Sequence, residues 1–523
     1  MPSGTTPRGW SLLRPYQQED AIALASGKIV GLWNAPGVGK TPTALAALVL
    51  AGVRWPVLVV TKAMGRRVWP RDAAWVLGSD YMPGIVDGLG ERAGTDLYDA
   101  GVHVRARWSP RESRVQSVVY SSVEAALERH PIIVVSYEIV ERYDLWSQHW
   151  GALVLDEAHA VKGGYLPARK RKRKSDGQMV WSGRSARFEL CRAIAQDVRR
   201  HGGPVWELTA TPVPDRRRDL FGQLNIVLPN IFPKGYDFLL RYCDLKKKQI
   251  SVGGEVREVN DSAGKSNTPA LKQLVETYFT VRKREQIADQ LPRLQIDVQF
   301  VPCDEKSVRF MGNDVETSIA RAAATKLPHA LDIARDYLLN GCKVAMTTVR
   351  RVLAHEIDGA VKSKKFMNSL PRHIREQLRT ECVTGEVPSS ERSYLLERFN
   401  DIEGCPAILS ATSDCLLESI DLHKTHAAII LGLPDTPGKV EQLLGRFSRL
   451  GGIPVNVIFL IAEGTIDERI KELLLDKLSD TTALNVDTQG GENIARVLKP
   501  QVDEQAVMDG LRAWLAAGSR EER

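Results

Sequence analysis

The chain has 523 residues, of which 43% are apolar and 26% are charged, as expected for a globular protein of two or three domains. Its 71 Lys and Arg residues exceed its 64 Asp and Glu residues, and the resulting net charge of +7 is compatible with nucleic-acid binding without being diagnostic of it. No apolar run reaches the length of a membrane span, the first residues lack a signal-peptide pattern, and the seven cysteines show no CxxC pair or zinc-like spacing. We therefore expect reduced thiols, no membrane partner, and a location in the cytoplasm, or in the nucleus of a eukaryotic host.

A glycine-containing turn joins a predicted buried strand at residues 28–33 to a predicted helix at residues 43–50. Backbone amides in such a turn, together with the positive end of the helix dipole, bind phosphate oxygens. We expect Lys40 to reach the terminal phosphates of a nucleotide and the Thr41 hydroxyl to ligate Mg²⁺. The turn departs from the GxxxxGK[ST] signature at Asn34, where glycine is usual, and a strand, glycine turn and helix also occur in proteins that bind no nucleotide. The candidate nucleotide-binding residues in the turn are Asn34, Ala35, Pro36, Gly37, Val38, Gly39, Lys40 and Thr41.

Two adjacent acids, Asp156 and Glu157, end an apolar run at residues 152–155. A parallel strand delivers such residues to the top of its sheet, where ligands bind. Asp156 is suited to hold Mg²⁺ against phosphates, and Glu157 is suited to orient or deprotonate the attacking water. Two such acids alone are more typical of a solvated loop. The phosphate-binding turn upstream favours the catalytic interpretation.

Six consecutive cations run from Arg169 to Lys174 in a stretch rich in Gly, Ser and Lys. This run has three interpretations: a solvated loop, a nuclear-import-like signal, or a segment that contacts nucleic-acid phosphates. A weaker second basic patch consists of Lys246, Lys247 and Lys248.

Further short motifs flank these segments in a fixed order. They are LRPYQ at 13–17, VSYE at 135–138, DEAH at 156–159, Lys162, TATP at 209–212, SN at 266–267, RK at 282–283, LP at 291–292, TG at 384–385, SER at 390–392, Gln442, RFSRLG at 446–451 and GTIDERI at 464–470. In this order, the motifs resemble those of the superfamily 2 helicase-like ATPases, and in particular the annealing-helicase-like branch of the Swi/Snf-type DNA translocases. The resemblance covers residues 13–477.

This resemblance implies an ATP- and Mg²⁺-dependent enzyme with a nucleotide cleft between two lobes. Gln17 would read the adenine edge, Gln442 would contact the nucleotide, and residues 209–211 would link the nucleotide state to lobe movement. Arg446 and Arg449 would approach the phosphates from the second lobe, where a planar cation suits the charge of a transferred phosphoryl group. The candidate catalytic residues are thus Lys40, Glu157, Arg446 and Arg449, and the candidate metal ligands are Thr41 and Asp156.

The predicted fold class is α/β, with two tandem RecA-like lobes built on parallel sheets. We predict an ATP-binding lobe at residues 10–228, an inter-lobe insertion at 229–291, a second lobe at 292–478 and a helical tail at 479–523. Residues 503–517 of the tail would form an amphipathic helix that packs on the core or docks on a protein partner.

Three functions follow from the motifs. The preferred one is an ATP-driven translocase on duplex or branched DNA. A strand-separating helicase that acts on DNA, including single-stranded DNA, or on RNA would share the same ATP site. The third is a nucleic-acid-binding clamp with a lapsed ATPase, because DCLLES at 414–419 replaces a glycine-rich turn of the family.

Overall fold

In the computed structural model, the chain forms two α/β lobes, one after the other. The structure describes residues 6–63, 65–86, 102–104, 118–120, 122–140, 143, 145–165, 169–172, 179–182, 186–213, 216–252, 255–262, 264–282, 292–303, 315–401, 404–417, 422–434, 436–449 and 452–483. Its strands are β1 (Gly31–Leu32), β2 (Val57–Thr61), β3 (Pro83–Val86), β4 (Val102–Val104), β5 (Val118–Tyr120), β6 (Ile132–Ser136), β7 (Ala152–Asp156), β8 (Arg169–Lys172), β9 (Met179–Ser182), β10 (Val205–Leu208), β11 (Lys246–Val252), β12 (Glu255–Asp261), β13 (Phe279–Thr280), β14 (Leu294–Val301), β15 (Lys343–Thr348), β16 (Arg379–Val383), β17 (Ala407–Thr412), β18 (Ala427–Ile430) and β19 (Val455–Ala462).

One helix precedes the first strand, and the others lie between the strands or after the last one. They are α1 (Pro15–Ala25), α2 (Lys40–Leu50), α3 (Val68–Val76), α4 (Val123–Leu127), α5 (Tyr137–Val140), α6 (Ala186–Arg200), α7 (Leu220–Val227), α8 (Gly235–Tyr242), α9 (Thr268–Tyr278), α10 (Val315–Leu339), α11 (Arg351–Lys362), α12 (Lys364–Asn368), α13 (Arg372–Gln377), α14 (Ser389–Asp401), α15 (Ser413–Leu416), α16 (Pro437–Phe447) and α17 (Ile466–Ala483). Short 3₁₀ turns occur at Trp10–Leu12, Gly65–Arg67, Ser79–Tyr81, Ala158–Val161 and Arg217–Asp219.

Nine of the described strands form the sheet of the first lobe, in the order β13-β1-β10-β7-β2-β6-β3-β5-β4. Neighbouring strands are parallel, except for the antiparallel pair β4 and β5. In β2, Val57 and Val59 pack into one core cluster, and Leu58 and Val60 pack into another. Because both faces are covered, this strand is apolar throughout rather than alternating. The carboxyl ends of β1, β7 and β10 lie at one edge of the sheet.

The second lobe has a six-stranded sheet in the order β14-β19-β18-β15-β17-β16, and every adjacent pair is parallel. Ala345 and Leu409 belong to the core cluster on one face, whereas Val344 and Met346 belong to the cluster on the other. The predicted α/β class with two RecA-like lobes is confirmed.

The first lobe extends beyond residue 228, where the sequence predicted its end. Strand β13 pairs in parallel with β1, and Leu271 and Val275 of α9 pack in the core of the first lobe. The described part of the predicted 229–291 insertion therefore supplies an edge strand and a covering helix to that lobe. A two-residue strand carries too little apolar pattern to be recognised from sequence.

The described part of the basic run is a strand rather than a loop. Residues Arg169–Lys172 form β8, which pairs antiparallel with β9. The second patch also lies in a hairpin, where Lys247 Nζ is 2.6 Å from a carboxylate oxygen of Glu258. Residues 173–174 and the predicted tail helix at 503–517 lie outside the described residues. Among the helices that the structure describes, none has the length and apolar character needed to cross a membrane.

Candidate active site

The loop after β1 turns at two glycines before α2 begins at Lys40. Gly37 and Gly39 each have a φ of 83°, a conformation that glycine adopts without steric cost. A Cβ on Gly39 would lie only 2.1 Å from Nε2 of Gln17. Glycine at position 39 is therefore required both for the backbone conformation and for the close approach of α1.

Lys40 folds back over the loop. Its Nζ donates hydrogen bonds to the carbonyl oxygens of Asn34 (2.8 Å) and Ala35 (3.3 Å). The ammonium group thus lies beside the start of α2, where backbone amides and the helix dipole favour an anion.

Asn34, the residue that replaces the usual glycine, has a structural explanation. Its Nδ2 donates to Asp20 Oδ2 at 3.1 Å, and its Oδ1 accepts from the backbone N–H of Arg282 at 2.9 Å. The Arg282 guanidinium also pairs with Asp20, at 2.7 Å. Asn34 therefore links the phosphate loop to α1 and to the residues after β13, which a glycine could not do.

The loop borders a cleft of about 370 Å³ that receives residues from both lobes. Of the predicted loop residues, five line this cleft, whereas the side chains of Asn34, Ala35 and Val38 are buried in the protein. Those three residues can contribute only backbone groups to a ligand. The lining residues are Leu12, Arg14, Gln17, Pro36, Gly37, Gly39, Lys40, Thr41, Pro42, Gly65, Val68, Arg71, Asp72, Trp75, Asp156, Glu157, Ala210, Gln442, Arg446 and Arg449.

Asp156 ends β7 and is held by hydrogen bonds on both oxygens. Oδ2 accepts from the Thr61 hydroxyl (2.9 Å) and from Trp69 Nε1 (3.1 Å), and Oδ1 accepts from the backbone N–H of Glu157 (3.1 Å). Burial and the adjacent negative charge of Glu157 raise the pKa of Asp156. The carboxylate is thus fixed in orientation and gains from a cation placed beside it.

Glu157 has a left-handed backbone, with a φ of 52°, that costs energy for a residue with a side chain. Its Oε2 lies 3.3 Å from Nδ1 of His159. Burial lowers the pKa of His159 to about 3, so this imidazole is neutral at neutral pH. Burial alone would raise the pKa of Glu157. Nearby positive charges outweigh burial and lower this pKa. At neutral pH those charges belong to Lys62, Lys40 and Arg446. Glu157 is therefore ionised and able to accept a proton.

Helix α16 of the second lobe packs directly on the phosphate loop. A Cβ on Gly445 would lie 2.5 Å from Cβ of Pro36, so the Pro36 ring packs closely on the helix at Gly445. Arg449 reaches Gly37, where an added Cβ would lie 3.4 Å from its Cδ. Arg446 also lines the cleft, and its Nη2 donates to the Leu417 carbonyl at 2.7 Å. Both predicted arginines thus face the loop from the opposite lobe.

A chain of hydrogen bonds joins the DEAH segment to the second lobe. Nδ1 of His159 is 3.1 Å from the Thr209 hydroxyl and 3.3 Å from the Thr211 hydroxyl. The Thr211 hydroxyl also accepts from Nε2 of Gln442 at 2.9 Å. The predicted coupling residues therefore lie between Glu157 and α16.

Gln17 lines the cleft, as predicted, but its amide already binds protein backbone. Oε1 accepts from the N–H of Arg14 at 2.9 Å, and Nε2 is 3.3 Å and 3.4 Å from the carbonyl oxygens of Val38 and Gly39. In the structure, Gln17 holds the phosphate loop against α1.

Several residues that line the cleft or hold the Asp156 carboxylate were not predicted from the sequence. Thr61, which binds Asp156, ends the mostly apolar run at residues 57–61, so its position at a strand end could have identified it. Trp69, Arg71 and Trp75 lie on α3, and no motif marks them. Their position depends on how α3 packs over the loop, which is a tertiary property.

The GTIDERI segment has a structural role in the described residues. Asp467 is buried and forms an ion pair with Lys326, which is also buried and donates to the Leu460 carbonyl. Oδ2 of Asp467 also accepts from the backbone N–H of Ala462 at 3.1 Å. These contacts fix the start of α17 against α10 and β19, away from the cleft. The departure at 414–419 is only partly described: Ser413–Leu416 is a short helix, and residues 418–421 lie outside the described residues.

Comparisons with known proteins agree with this arrangement. Residues 347–451 match the family model for the helicase conserved C-terminal domain. A SWI/SNF-related matrix-associated actin-dependent regulator of chromatin subfamily A-like protein 1 from Xenopus tropicalis is 25% identical over 494 residues, which are 90% of this chain and 44% of that protein. The DNA annealing helicase and endonuclease ZRANB3 from Mus musculus is 23% identical over 552 residues, which are 98% of this chain and 44% of that protein. The predicted Snf2-type resemblance within superfamily 2 is confirmed.

The fold has a solved counterpart in the DUF1998 helicase MrfA bound to DNA. The TM-score is 0.52 at 12% identity, over 88% of this chain and 51% of that one, so the likeness concerns the fold alone. The chain spans less than half the length of the two relatives above.

Proposed function

We propose that the protein is a nucleic-acid-stimulated ATPase that translocates on duplex or branched DNA. One observation carries this proposal: the phosphate loop, the Asp156–Glu157 pair and the two arginines of the second lobe line a single cleft. ATP hydrolysis by a helicase-like enzyme requires these groups together, because they bind phosphates, activate water and stabilise transferred charge.

Each proposed role rests on the position of a side chain. Lys40 and the amides at the start of α2 bind the phosphates, and Glu157 accepts a proton from the attacking water. Arg446 and Arg449 stabilise the developing charge, and they can do so only while α16 rests on the loop. Hydrolysis is therefore linked to closure of the lobes.

The residues present also fit a magnesium ion. Thr41 and Asp156 offer a hydroxyl and a carboxylate on one wall of the cleft, and hard oxygen ligands suit this metal. When bound, Mg²⁺ would neutralise phosphate charge. The hydrogen bonds from Thr61 and Trp69 orient the carboxylate for this purpose.

The similarity to these relatives supports DNA as the nucleic acid along which the protein translocates. By its name, the mouse relative is a DNA annealing helicase and endonuclease. We propose by analogy that this chain prefers duplex or branched DNA, and that it works in the cytoplasm, or in the nucleus of a eukaryotic host. The seven cysteines are all free, which is in keeping with a reducing compartment.

An ATPase assay with different nucleic acids tests the proposal. We expect turnover to rise on adding duplex or forked DNA, less so with single-stranded DNA or RNA, and to vanish in Glu157→Gln. A strand-displacement assay then separates translocation from unwinding, because a helicase releases a labelled strand from a tailed duplex. Absence of hydrolysis with every nucleic acid, despite retained DNA binding, would instead support a clamp with a lapsed ATPase.

We further propose that the Arg169–Lys174 run, of which the described part is strand β8, contacts DNA phosphates. Replacing all six cations with Gln should weaken binding to every DNA sequence alike and flatten the slope of log affinity against log salt, because fewer counterions are released. Turnover at saturating DNA should persist. Replacing Lys246, Lys247 and Lys248 with Gln in a separate variant measures what the second basic patch contributes. An unchanged salt slope for the first variant would exclude the hairpin as a phosphate contact.

A further inference from the structure

A cluster of metal-binding side chains lies at the opposite end of the first sheet from the nucleotide cleft. It consists of His149, just before β7, and Asp197 and His201, at the end of α6. Strand β7 begins near this cluster and ends at Asp156, a length of about 13 Å at the usual rise per residue. The cluster is therefore separate from the ATP site.

The donor atoms are spaced for a shared metal ion. Oδ2 of Asp197 lies 3.6 Å from Nδ1 of His149 and 3.5 Å from Nδ1 of His201. One donor atom from each of the three residues lies within 4.8 Å of the others. In a tetrahedral zinc site with bonds of about 2.1 Å, ligand atoms are about 3.4 Å apart. Two of the three spacings thus match such a site, and exposed histidine rings can rotate to close the third.

Asp197 supplies a second, independent observation. Its Oδ2 is buried and accepts no hydrogen bond from any residue that the structure describes. A carboxylate oxygen in this state lacks the partner that buried polar atoms normally have. The other oxygen faces Arg200, whose Nη1 is 3.6 Å away. The oxygen that has no donor is the one directed at both imidazoles.

We propose that His149, Asp197 and His201 bind one Zn²⁺ ion, with water in the fourth position. Two imidazoles and one carboxylate suit zinc, whereas the Mg²⁺ used with nucleotides prefers oxygen ligands alone. Coordination through Nδ1 of His201 replaces the hydrogen bond that this nitrogen makes to the Asp197 carbonyl at 2.9 Å. Binding therefore exchanges one weak interaction for a coordinate bond.

The ion would join two segments that precede the motif-bearing strands. The backbone around Gly151 leads into β7, and that around Gly203 leads into β10. A Cβ on Gly203 would lie 2.3 Å from the Gly151 carbonyl oxygen, so the two segments are already in contact. Zinc would clamp His149 to the end of α6 across this contact and stabilise the first lobe.

Zinc binding to the untagged, chelator-treated chain tests the proposal, with competition against a chromophoric chelator as the readout. We expect one equivalent of Zn²⁺ per chain, binding unaffected by millimolar Mg²⁺, and a higher melting temperature with zinc. His149→Ala, His201→Ala and Asp197→Asn should each weaken binding by at least about tenfold and remove the thermal shift. His373→Ala, at an exposed histidine of the second lobe, should bind zinc like the parent.

A variant at an exposed ligand and a spectroscopic probe make the result independent of whether Asp197→Asn folds. The His149 side chain is 78% exposed, so His149→Ala should fold even if Asp197→Asn does not. Co²⁺ in place of Zn²⁺ should give the intense visible bands of a four-coordinate site in the parent and in His373→Ala only. The proposal would be overturned if His149→Ala bound zinc as tightly as the parent does. It would also be overturned if His373→Ala lost as much bound zinc as the three site variants.

Discussion

Glu207 is a buried acid in the middle of β10 whose replacement should stabilise the protein at neutral pH. Its side chain is fully buried, and Oε1 accepts a hydrogen bond of 2.7 Å from Nε1 of Trp33. Its Oε2 accepts none from any described residue. Burial raises the pKa of Glu207 from 4.5 to about 8, although the Trp33 hydrogen bond acts in the opposite direction. The folded protein therefore keeps this carboxyl protonated at neutral pH.

The size of the effect follows from proton linkage. Between pH 4.5 and pH 8, the unfolded chain has released the proton of Glu207 while the folded chain retains it. The free energy of unfolding therefore falls as pH rises, by about 1.4 kcal/mol per pH unit. From pH 5.5 to pH 7.5 the loss is about 2–3 kcal/mol. Glu207→Gln retains the acceptor for Trp33, resembles the neutral acid in shape and does not titrate, so it should escape this loss.

The assay is the melting temperature of the first lobe, measured for the parent and Glu207→Gln from pH 5.5 to pH 7.5. Across this pH range, the melting temperature of the variant should rise by about 5–10 °C relative to that of the parent. Asp156 and His159 also titrate, but they contribute equally to both proteins and cancel in the difference. Glu356→Gln, at an exposed position, should show no such gain. A difference that stays constant with pH would refute the reasoning.

Three further predictions concern the cleft. Glu157→Gln should abolish ATP hydrolysis while retaining binding of a fluorescent nucleotide, because only the proton acceptor is lost; hydrolysis near the parent rate would exclude Glu157 from this role. Arg446→Ala and Arg449→Ala should each lower DNA-stimulated turnover by roughly a thousandfold or more with DNA affinity retained, and comparable losses of DNA binding would reassign them to the DNA surface. Gly39→Ala should lose nucleotide binding, because its Cβ would lie 2.1 Å from Nε2 of the Gln17 side chain. The control Gly52→Ala should retain nucleotide binding, because this glycine has a φ of 58° and no atom lies within 4 Å of an added Cβ. Equal nucleotide affinity in these two variants would show that space around residue 39 does not matter.

The central strands could be predicted from sequence because parallel strands buried on both faces are continuous apolar runs. The apolar run at residues 152–155 becomes β7, which is longer by one residue. The short edge strand β13 could not be predicted, because its place in the sheet depends on pairing with β1 and not on its own pattern.

The candidate site was predictable where the chemistry is local. The loop and the DEAH segment are continuous in sequence, so their residue types and spacing identify them. The role of Asn34 was not predictable, because its partners Asp20 and Arg282 come from separate segments of the chain. The support that Trp69 gives to Asp156 was hidden for the same reason.

One link between the lobes, the hydrogen bonds from His159 through Thr211 to Gln442, is made of neutral groups, and this suits a contact that must break and re-form. Burial keeps His159 uncharged, and the bonds from His159 through Thr211 to Gln442 join only neutral donors and acceptors. A neutral hydrogen bond contributes about 1 kcal/mol net, and leaving a charged group unpaired in a buried site costs several times more. Separating Gln442 from Thr211 therefore costs little free energy and leaves no charged group unpaired. Opening of the cleft then depends on the charged groups that face one another across it, Arg446 and Arg449 on one side and Glu157 and the phosphate loop on the other, and on the nucleotide between them.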